Sequence, residues 1–358
     1  MRHDREPERE VVRLFPPDRD GVTLHVIAQG ASVGVSADSL VVRPLDGPET
    51  KHAIHSIESL LLHGYAQIST QAIRKCVEHG IGVHWLSTTG YHTASLVATA
   101  GQVQRRIRQY RALADNEVAC LRLARTLAHA KVEGQHRYLL RATRGVNQHR
   151  DSLQTEFRGI QEMLRLIPAA ESCDRLRGLE GTAAVHYFRG LRSLLSDRVP
   201  GELRWAGRNR QPPLDRFNAL LSFGYGLLHS AVMRAILAVG LEPSLGFFHT
   251  PRSAAYPLVL DLMELFRVPL WDMVAIGSLN RGQWDPDKDF DATSAKVWLS
   301  ETGRRKAIEL FEARLGENWK HPVLNYSLSY ARTVELEARL LEKEWTGEPG
   351  LFARARLR

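Results

Sequence analysis

The chain has 358 residues, of which 44% are hydrophobic, a length that suits two compact cores better than one. Its formal net charge of +8 favours a polyanionic partner. Three scattered cysteines argue against a disulfide framework, a zinc ribbon or an iron–sulfur cluster. The charged start and the lack of a long apolar run predict a soluble, cytoplasmic protein with no membrane partner.

The first part of the chain predicts strands. Residues 1–20 are polar, charged and proline-bearing, so we expect a flexible lead or the remnant of a linker. The short β-branched segments VTLHVIA, ASVGVS and SLVVRP follow, separated by turns, and are typical of successive strands. One short helix, TQAIRKCVEHG, opens at Ser69 or Thr70 and closes at Gly80. These segments predict a small β-rich domain over residues 21–99.

The remainder of the chain predicts helices. Apolar residues recur about every 3.6 positions, which indicates a larger all-α domain over residues 100–345 and an α+β fold for the whole chain. Glu180 stands in an apolar helical stretch beside small residues, and Tyr187 lies two turns further along the same face. From the residues alone, ordinary packing is the preferred explanation of Tyr187. Residues 346–358 are predicted to form a mobile basic tail.

An arginine-rich loop is predicted between two of these helices. In SDRVPGELRWAGRNRQPPLD, the basic side chains of Arg204, Arg208 and Arg210 surround Trp205. Frayed or single-stranded DNA favours this combination, because a base can stack on the aromatic ring while arginines neutralise phosphates. A solvated basic loop is an equally good explanation.

The helix after this loop is apolar on nearly every face, as a central buried helix should be. Asp215 is placed to cap it. Asn218, Ser222 and Tyr225 recur at spacings of four and three, so they form one polar stripe on its surface. The stripe either faces a functional site or makes hydrogen bonds within the core.

The segment over residues 240–267 contains two carboxylates and a histidine. His249 ends a tight apolar turn, and Asp261 and Glu264 lie three residues apart in an otherwise apolar helical run that begins at Pro257. Carboxylates in apolar surroundings need a partner, and a divalent cation is one such partner. The alternative is the wet face of an amphipathic helix, with Arg267 as the ion-pair partner. With Glu180, these residues give the oxygen-rich, one-imidazole set that suits Mg²⁺ or Mn²⁺.

Three sequence motifs carry a family resemblance. PSLGFFH followed by LVLDLMELFR, the earlier LEGTAAVHYF, and NRQPPLDRFNALLSFGYGLL together resemble the CRISPR-associated spacer-integration endonuclease, the first-numbered Cas protein. The resemblance runs from about residue 22 to about residue 341. It implies an N-terminal domain for dimerisation and DNA contact, and a C-terminal metal-dependent catalytic domain.

The resemblance also implies roles for individual residues. Glu180, His249 and Glu264 are expected to bind one Mg²⁺ or Mn²⁺, with Asp261 in a supporting role and Tyr225 beside the reacting phosphate. The residues expected to contact DNA are Tyr187, Arg208, Arg210, Ser222 and Arg252.

The implied activity is CRISPR adaptation. The 3′-hydroxyl of a captured double-stranded DNA fragment attacks a phosphodiester at the edge of CRISPR repeat DNA, and the transesterification is repeated on the other strand. Two attacks require two sites, so the expected partners are a second copy of the chain, a bridging dimer of the small second-numbered Cas protein, and an iron–sulfur Cas nuclease. The alternatives are a metal-dependent DNA repair nuclease and a non-catalytic DNA-binding scaffold.

Overall fold

A computed structural model describes residue 16 and residues 21–97, 102–144, 147–209, 212–249, 256–321 and 325–354. Strands dominate the described chain before residue 97, and helices dominate it after residue 102. The predicted α+β class, with a β-rich domain followed by a helical domain, is confirmed. The expected domain boundary near residue 99 lies outside the described residues.

Two four-stranded sheets form the N-terminal domain over residues 21–97. One has the strand order β1-β5-β7-β8 and the other the order β4-β3-β2-β6. In the first sheet β1, β5 and β7 run parallel, and β8 returns antiparallel to β7. The strands are β1 (Val22–Val26), β2 (Ser32–Ser36), β3 (Ser39–Arg43), β4 (Thr50–Ala53), β5 (Ile57–His63), β6 (Gln67–Ile68), β7 (Gly82–Leu86) and β8 (His92–Leu96).

Helix α1 (Thr70–Glu78) crosses between these sheets. The hydroxyl of Ser69 accepts the N–H of Ala72, which confirms Ser69 as the N-cap. The helix buries Ala72 and Cys76 in a core that includes Leu60 and Leu62. The helix contacts β2 of one sheet and β7 of the other, so it packs against both.

The helical domain contains most of the buried apolar residues. Its helices are α2 (Val103–Leu113), α3 (Glu117–Ala142), α4 (Asn147–Ser152), α5 (Gln154–Leu166), α6 (Cys173–Arg192), α7 (Arg216–Val239), α8 (Pro257–Met263), α9 (Met273–Asn280), α10 (Glu301–Gly316) and α11 (Tyr330–Thr346). A π-helical turn, Val268–Asp272, joins α8 to α9. The sequence analysis missed two hairpins of short strands. Strand β9 (Phe290–Ala292) pairs with β10 (Val297–Leu299), and β11 (Asn318–Lys320) pairs with β12 (Ser327–Ser329). Three-residue strands are too short to give a readable alternation.

Helix α7 is the central element of this domain. Asp215 caps it as predicted, because its Oδ1 accepts the N–H of Asn218 at 2.7 Å. Gly240, with a φ of +87°, ends it in the left-handed conformation. By length and composition α7 could cross a membrane, contrary to the expectation from the sequence, but 72% of its most apolar window is buried inside the protein.

The segment after α11 packs onto the helical domain. Phe352 is buried and meets the ring of Phe247 edge-on, with 5.9 Å between ring centroids. The N–H of Ala353 donates to the buried Glu337 carboxylate at 3.0 Å. Within the predicted mobile tail, Phe352 and Ala353 are therefore packed against the helical domain. Residues 355–358 lie outside the described residues.

Candidate metal and nucleic-acid site

The carboxylate of Asp261 organises the turn that carries His249. Asp261 is wholly buried on α8, and its Oδ2 accepts the backbone N–H groups of Phe247 at 2.8 Å and Phe248 at 3.1 Å. Its Oδ1 accepts the N–H of His249 at 2.9 Å and lies 2.6 Å from the ring Nδ1. Because protein donors use both oxygens, Asp261 holds the imidazole in the tautomer whose Nε2 remains an acceptor.

Two further carboxylates approach each other around one ammonium group. Glu180 lies on α6, Glu264 lies one residue beyond the end of α8, and Lys131 on α3 stands between them. The Nζ of Lys131 forms an ion pair with Glu180 Oε1 and lies 2.6 Å from Glu264 Oε2. The Nε of Arg267 also lies 3.0 Å from Glu264 Oε2. Two distant segments thus each supply one acid, and a third segment supplies the ammonium group between them.

These charges keep Glu264 ionised. Burial alone would raise the pKa of Glu264, but the positive charges of Arg267 and Lys131 outweigh it and lower the pKa to about 2. Glu264 is therefore a permanent anion at neutral pH.

Arg267 packs against a buried network of two tyrosines and an aspartate. The guanidinium of Arg267 lies over the ring of Tyr225, 4.4 Å from its centroid. The hydroxyl of Tyr225 donates to Asp272 Oδ1 at 2.6 Å, and that of Tyr187 donates to Asp272 Oδ2 at 2.7 Å. Burial raises the pKa of both tyrosines well above 10, which keeps the hydroxyls protonated as donors. Asp272 ends the π-helical turn, a feature frequent at functional sites.

Replacing Asp272 with asparagine is expected to destabilise the protein by about 2 kcal/mol, since one of the two tyrosine hydroxyls would then face an amide NH₂ and lose its acceptor. Urea unfolding of the purified chain measures this loss. Tyr187→Phe is the matched control and should cost less, about 1 kcal/mol, because it removes one donor and leaves Asp272 bonded to Tyr225. Wild-type stability in Asp272→Asn would contradict the network.

Two cavities flank this cluster. One, of about 750 Å³, is lined by Glu264 and by a row of cationic side chains from α3 that includes Arg122, Arg125, Lys131 and Arg137. The other, of about 810 Å³, lies between the N-terminal domain and α7. Its polar and aromatic lining includes Tyr91, Arg208, Ser222, Tyr225, Arg267, Lys296 and Trp298. Cationic walls on both sides of a carboxylate pair suit two phosphate-bearing strands.

Tyr187, predicted to contact DNA, and Trp205, considered for base stacking, are both buried. Tyr187 is fully buried with its hydroxyl on Asp272, so it supports the network and has no surface for DNA. Trp205, the aromatic residue of the arginine-rich loop, is also buried, with its ring centroid 4.4 Å from that of Phe217. Both aromatic side chains bury more apolar area in the core than a surface position would allow.

The other predicted DNA contacts divide into two groups. Arg208 and Ser222 both line the larger cavity, and among the described residues the Ser222 hydroxyl has no hydrogen-bond partner. Arg208 also donates to Asn218 Oδ1 at 2.8 Å, which ties the loop to α7. Arg210 and Arg252 lie outside the described residues.

The donor set fits a divalent cation. Within the described parts of the chain, no three ligand-type side chains are already gathered around one point. Glu180 and Glu264 nevertheless meet at a position that now holds the Lys131 ammonium, and the imidazole of His249 is oriented by Asp261, three residues before Glu264. Two carboxylates and one imidazole are the donors that Mg²⁺ and Mn²⁺ accept, whereas zinc favours more nitrogen or sulfur.

Comparison with known proteins identifies the family. A family model described as CRISPR associated protein Cas1 matches residues 24–313. This chain belongs to the Cas1 family. The resemblance that the three motifs predicted is therefore confirmed.

Individual relatives agree with this assignment. The Cas4/Cas1 exonuclease–endonuclease fusion of Myxococcus xanthus is 51% identical to this Cas1 chain over 360 residues, covering 99% of the chain and 63% of the relative. The chain thus spans less than two thirds of that fusion. The Thermus thermophilus endonuclease Cas1 1 is 33% identical, covering 91% of the chain and 96% of the relative. A casposase solved with its integration product has the same fold, with a TM-score of 0.79, 22% identity and 94% coverage of both chains.

Proposed function

We propose that this Cas1 chain is a divalent-metal-dependent DNA endonuclease and integrase of CRISPR adaptation. The observation that carries the proposal is the meeting of Glu180 and Glu264 at one cationic position, with the imidazole of His249 oriented by Asp261, three residues before Glu264. Membership of the Cas1 family and the endonuclease names of its relatives support the same reaction class.

Each side chain then has a role in strand transfer. Glu180, Glu264 and the Nε2 of His249 would hold the cation, and Asp261 keeps the imidazole in the tautomer that could do so. Bound Mg²⁺ or Mn²⁺ supplies charge stabilisation at the attacked phosphate and lowers the pKa of an attacking hydroxyl. Arg267, held by Tyr225, presents a fixed positive charge at the wall of the larger cavity.

The reaction conserves phosphodiester bonds. The 3′-oxygen of an incoming fragment forms a bond to a phosphorus of the repeat strand, and the bond from that phosphorus to the neighbouring 3′-oxygen breaks. The proton of the attacking hydroxyl ends on the departing 3′-oxygen. Water in place of the 3′-hydroxyl gives nicking at the same site.

The proposed partners follow from the reaction and the family. Duplex DNA with 3′-hydroxyl ends and CRISPR repeat DNA are the substrates, and their phosphates match the cationic walls of the two cavities. Two strand transfers a fixed distance apart require a homodimer, or two dimers bridged by the second-numbered Cas protein. The fusion relative's name supports a Cas4-type exonuclease, the expected iron–sulfur nuclease, as a further partner.

A strand-transfer assay tests the proposal. Labelled duplex with 3′-hydroxyl ends is incubated with a plasmid carrying the repeat, in Mg²⁺, Mn²⁺ or EDTA, with wild-type protein, Glu180→Ala, His249→Ala and the control Glu162→Ala. Glu162 is exposed on α5, away from the site. We expect joined product only with a metal, and only with wild-type and Glu162→Ala protein.

The assay also separates the alternatives. A repair nuclease would yield fragments and no joined product, and a scaffold would bind DNA and yield neither. Activity that persists in EDTA would refute the metal site.

A further inference from the structure

Lys131 occupies the position at which the two candidate metal-binding carboxylates meet. It lies on α3, a helix that carries neither of those acids, and its side chain is only 10% exposed. Its Nζ contacts Glu180 Oε1 and lies 2.6 Å from Glu264 Oε2. No other cation reaches both carboxylates among the described residues. Lys131 is therefore the single group that links the two acids.

Two anions from separate helices repel each other unless a cation lies between them. Of the two acids, Arg267 contacts only Glu264 in the described part of the chain, so it does not supply the counter-charge of Glu180. The ammonium of Lys131 supplies that charge and draws α6 toward the end of α8. An ammonium and a divalent cation cannot occupy the same position, since both require direct contact with the same carboxylate oxygens.

We propose that Lys131 is a built-in competing cation. It holds Glu180 and Glu264 together before a metal ion binds, and it leaves them when the metal arrives. The inference rests on the proposed metal site, which it deepens by adding a residue that sets metal affinity.

The structure provides a place for the displaced ammonium. Lys131 and Glu264 both line the 750 Å³ cavity, and Arg122, Arg125 and Arg137 line it as well. A lysine stem has four flexible carbons, so Nζ can turn from the carboxylates into this cavity without movement of α3. Displacement therefore adds one positive charge to a wall that already suits phosphate.

Metal titration of the full-length chain tests the proposal. Lys131→Met keeps the apolar stem and removes the charge. We expect metal-free Lys131→Met to unfold at a lower temperature than wild type, because Glu180 and Glu264 then repel each other. It should bind Mn²⁺ about tenfold or more tightly, since the Lys131 ammonium no longer competes with the metal for the two carboxylates. Isothermal titration calorimetry with Mn²⁺ alone measures the affinity. The matched control Lys288→Met, at a site 81% exposed, should bind Mn²⁺ as wild type does.

A second measurement needs no variant. Acetylation of Lys131 in the wild-type protein, followed by mass spectrometry, should become several-fold faster when Mn²⁺ is added, because the ammonium leaves its ion pairs. Equal or weaker Mn²⁺ binding by a folded Lys131→Met, or an acetylation rate that Mn²⁺ does not change, would overturn the inference while leaving the metal site intact. If wild type binds no Mn²⁺, or if Glu180→Gln binds it as tightly, the proposed function itself fails and this inference with it.

Discussion

Replacing Glu264 with glutamine is expected to reduce both strand transfer and nicking by at least about a hundredfold, the size of effect seen when one group that stabilises developing charge is removed. The substitution preserves the size of the side chain and removes its charge. The proposed cation would lose one of two carboxylates, and the neutral amide oxygen is a weaker ligand for a hard metal. DNA binding through the arginine-lined cavities should persist. A gel-shift assay and a strand-transfer assay on the same preparation measure the two effects.

The same substitution should destabilise the fold. Glu264 is 6% exposed and faces both Lys131 and Arg267, so an amide at this position leaves Arg267 without its carboxylate partner and Lys131 with Glu180 alone. Breaking such a buried pair costs about 3–5 kcal/mol. Glu309→Gln, at an exposed position on α10, is the control and should change neither activity nor stability.

A double variant separates the two consequences. In Glu264→Gln two neighbouring cations, Lys131 and Arg267, face the single remaining acid, Glu180. Lys131→Met combined with Glu264→Gln removes one of these cations, so part of the lost stability should return. Activity should not return, because the carboxylate is still absent. A Glu264→Gln protein that joins DNA at the wild-type rate would exclude this carboxylate from the reaction, whatever its effect on folding.

The architecture was readable from the sequence because its signals are local. Short β-branched segments between turns gave the strands, and the caps at Ser69 and Asp215 are hydrogen bonds to residues three positions further on. The hairpins formed by β9 to β12 were missed, since strands of three residues carry no period. Local rules therefore predicted the elements that are long enough to repeat a pattern.

The site was only partly readable. Helical spacing and the family resemblance selected Glu180, His249 and Glu264, and helical spacing placed Asp261 on the same face as Glu264. In the structure α8 ends at Met263, so Asp261 faces the His249 turn while Glu264 faces α3. The difference lies in a helix end, which a periodic pattern does not define.

Lys131 and Asp272 were missed for a different reason. Lys131 precedes its partners by 49 and 133 residues, and nothing in its own helix marks a buried lysine. Asp272 reaches the tyrosines because the chain there forms a π-helical turn, which shifts side chains relative to α-helical spacing. Partners that are set by the packing of distant helices, or by a local change of register, leave no signal in a single sequence.

Replacing Gly226 with alanine is expected to destabilise the protein by about 3 kcal/mol, at the upper end of what one added methyl group costs in a packed interior. A Cβ at this position on α7 would lie 2.1 Å from the carbonyl oxygen of Gly90 and 2.6 Å from its carbonyl carbon. Gly90 sits in the turn between β7 and β8 with a φ of +84°. The obstacle is backbone, so no side-chain rotation relieves it.

The matched control is Gly178→Ala on α6. Among the described residues a Cβ there meets nothing within 4 Å, and the position is exposed, so the helix should gain about 0.5–1 kcal/mol from the reduced entropy of the unfolded chain. Urea unfolding of both variants beside wild type therefore gives shifts of opposite sign for the same chemical change. Equal midpoints for Gly226→Ala and wild type would contradict the close contact between the two domains.

Gly226→Ala is also expected to change the cavity beside the candidate site. Gly226 lines the larger cavity and follows Tyr225, and Arg234 further along α7 donates to Thr23 of β1 at 2.8 Å. Relief of the clash requires the turn that contains Gly90 to move away from α7, which widens the cavity between the two domains. We therefore expect the folded fraction of Gly226→Ala to bind DNA more weakly while retaining Mn²⁺ affinity, because the carboxylates and His249 lie on elements that this contact does not touch.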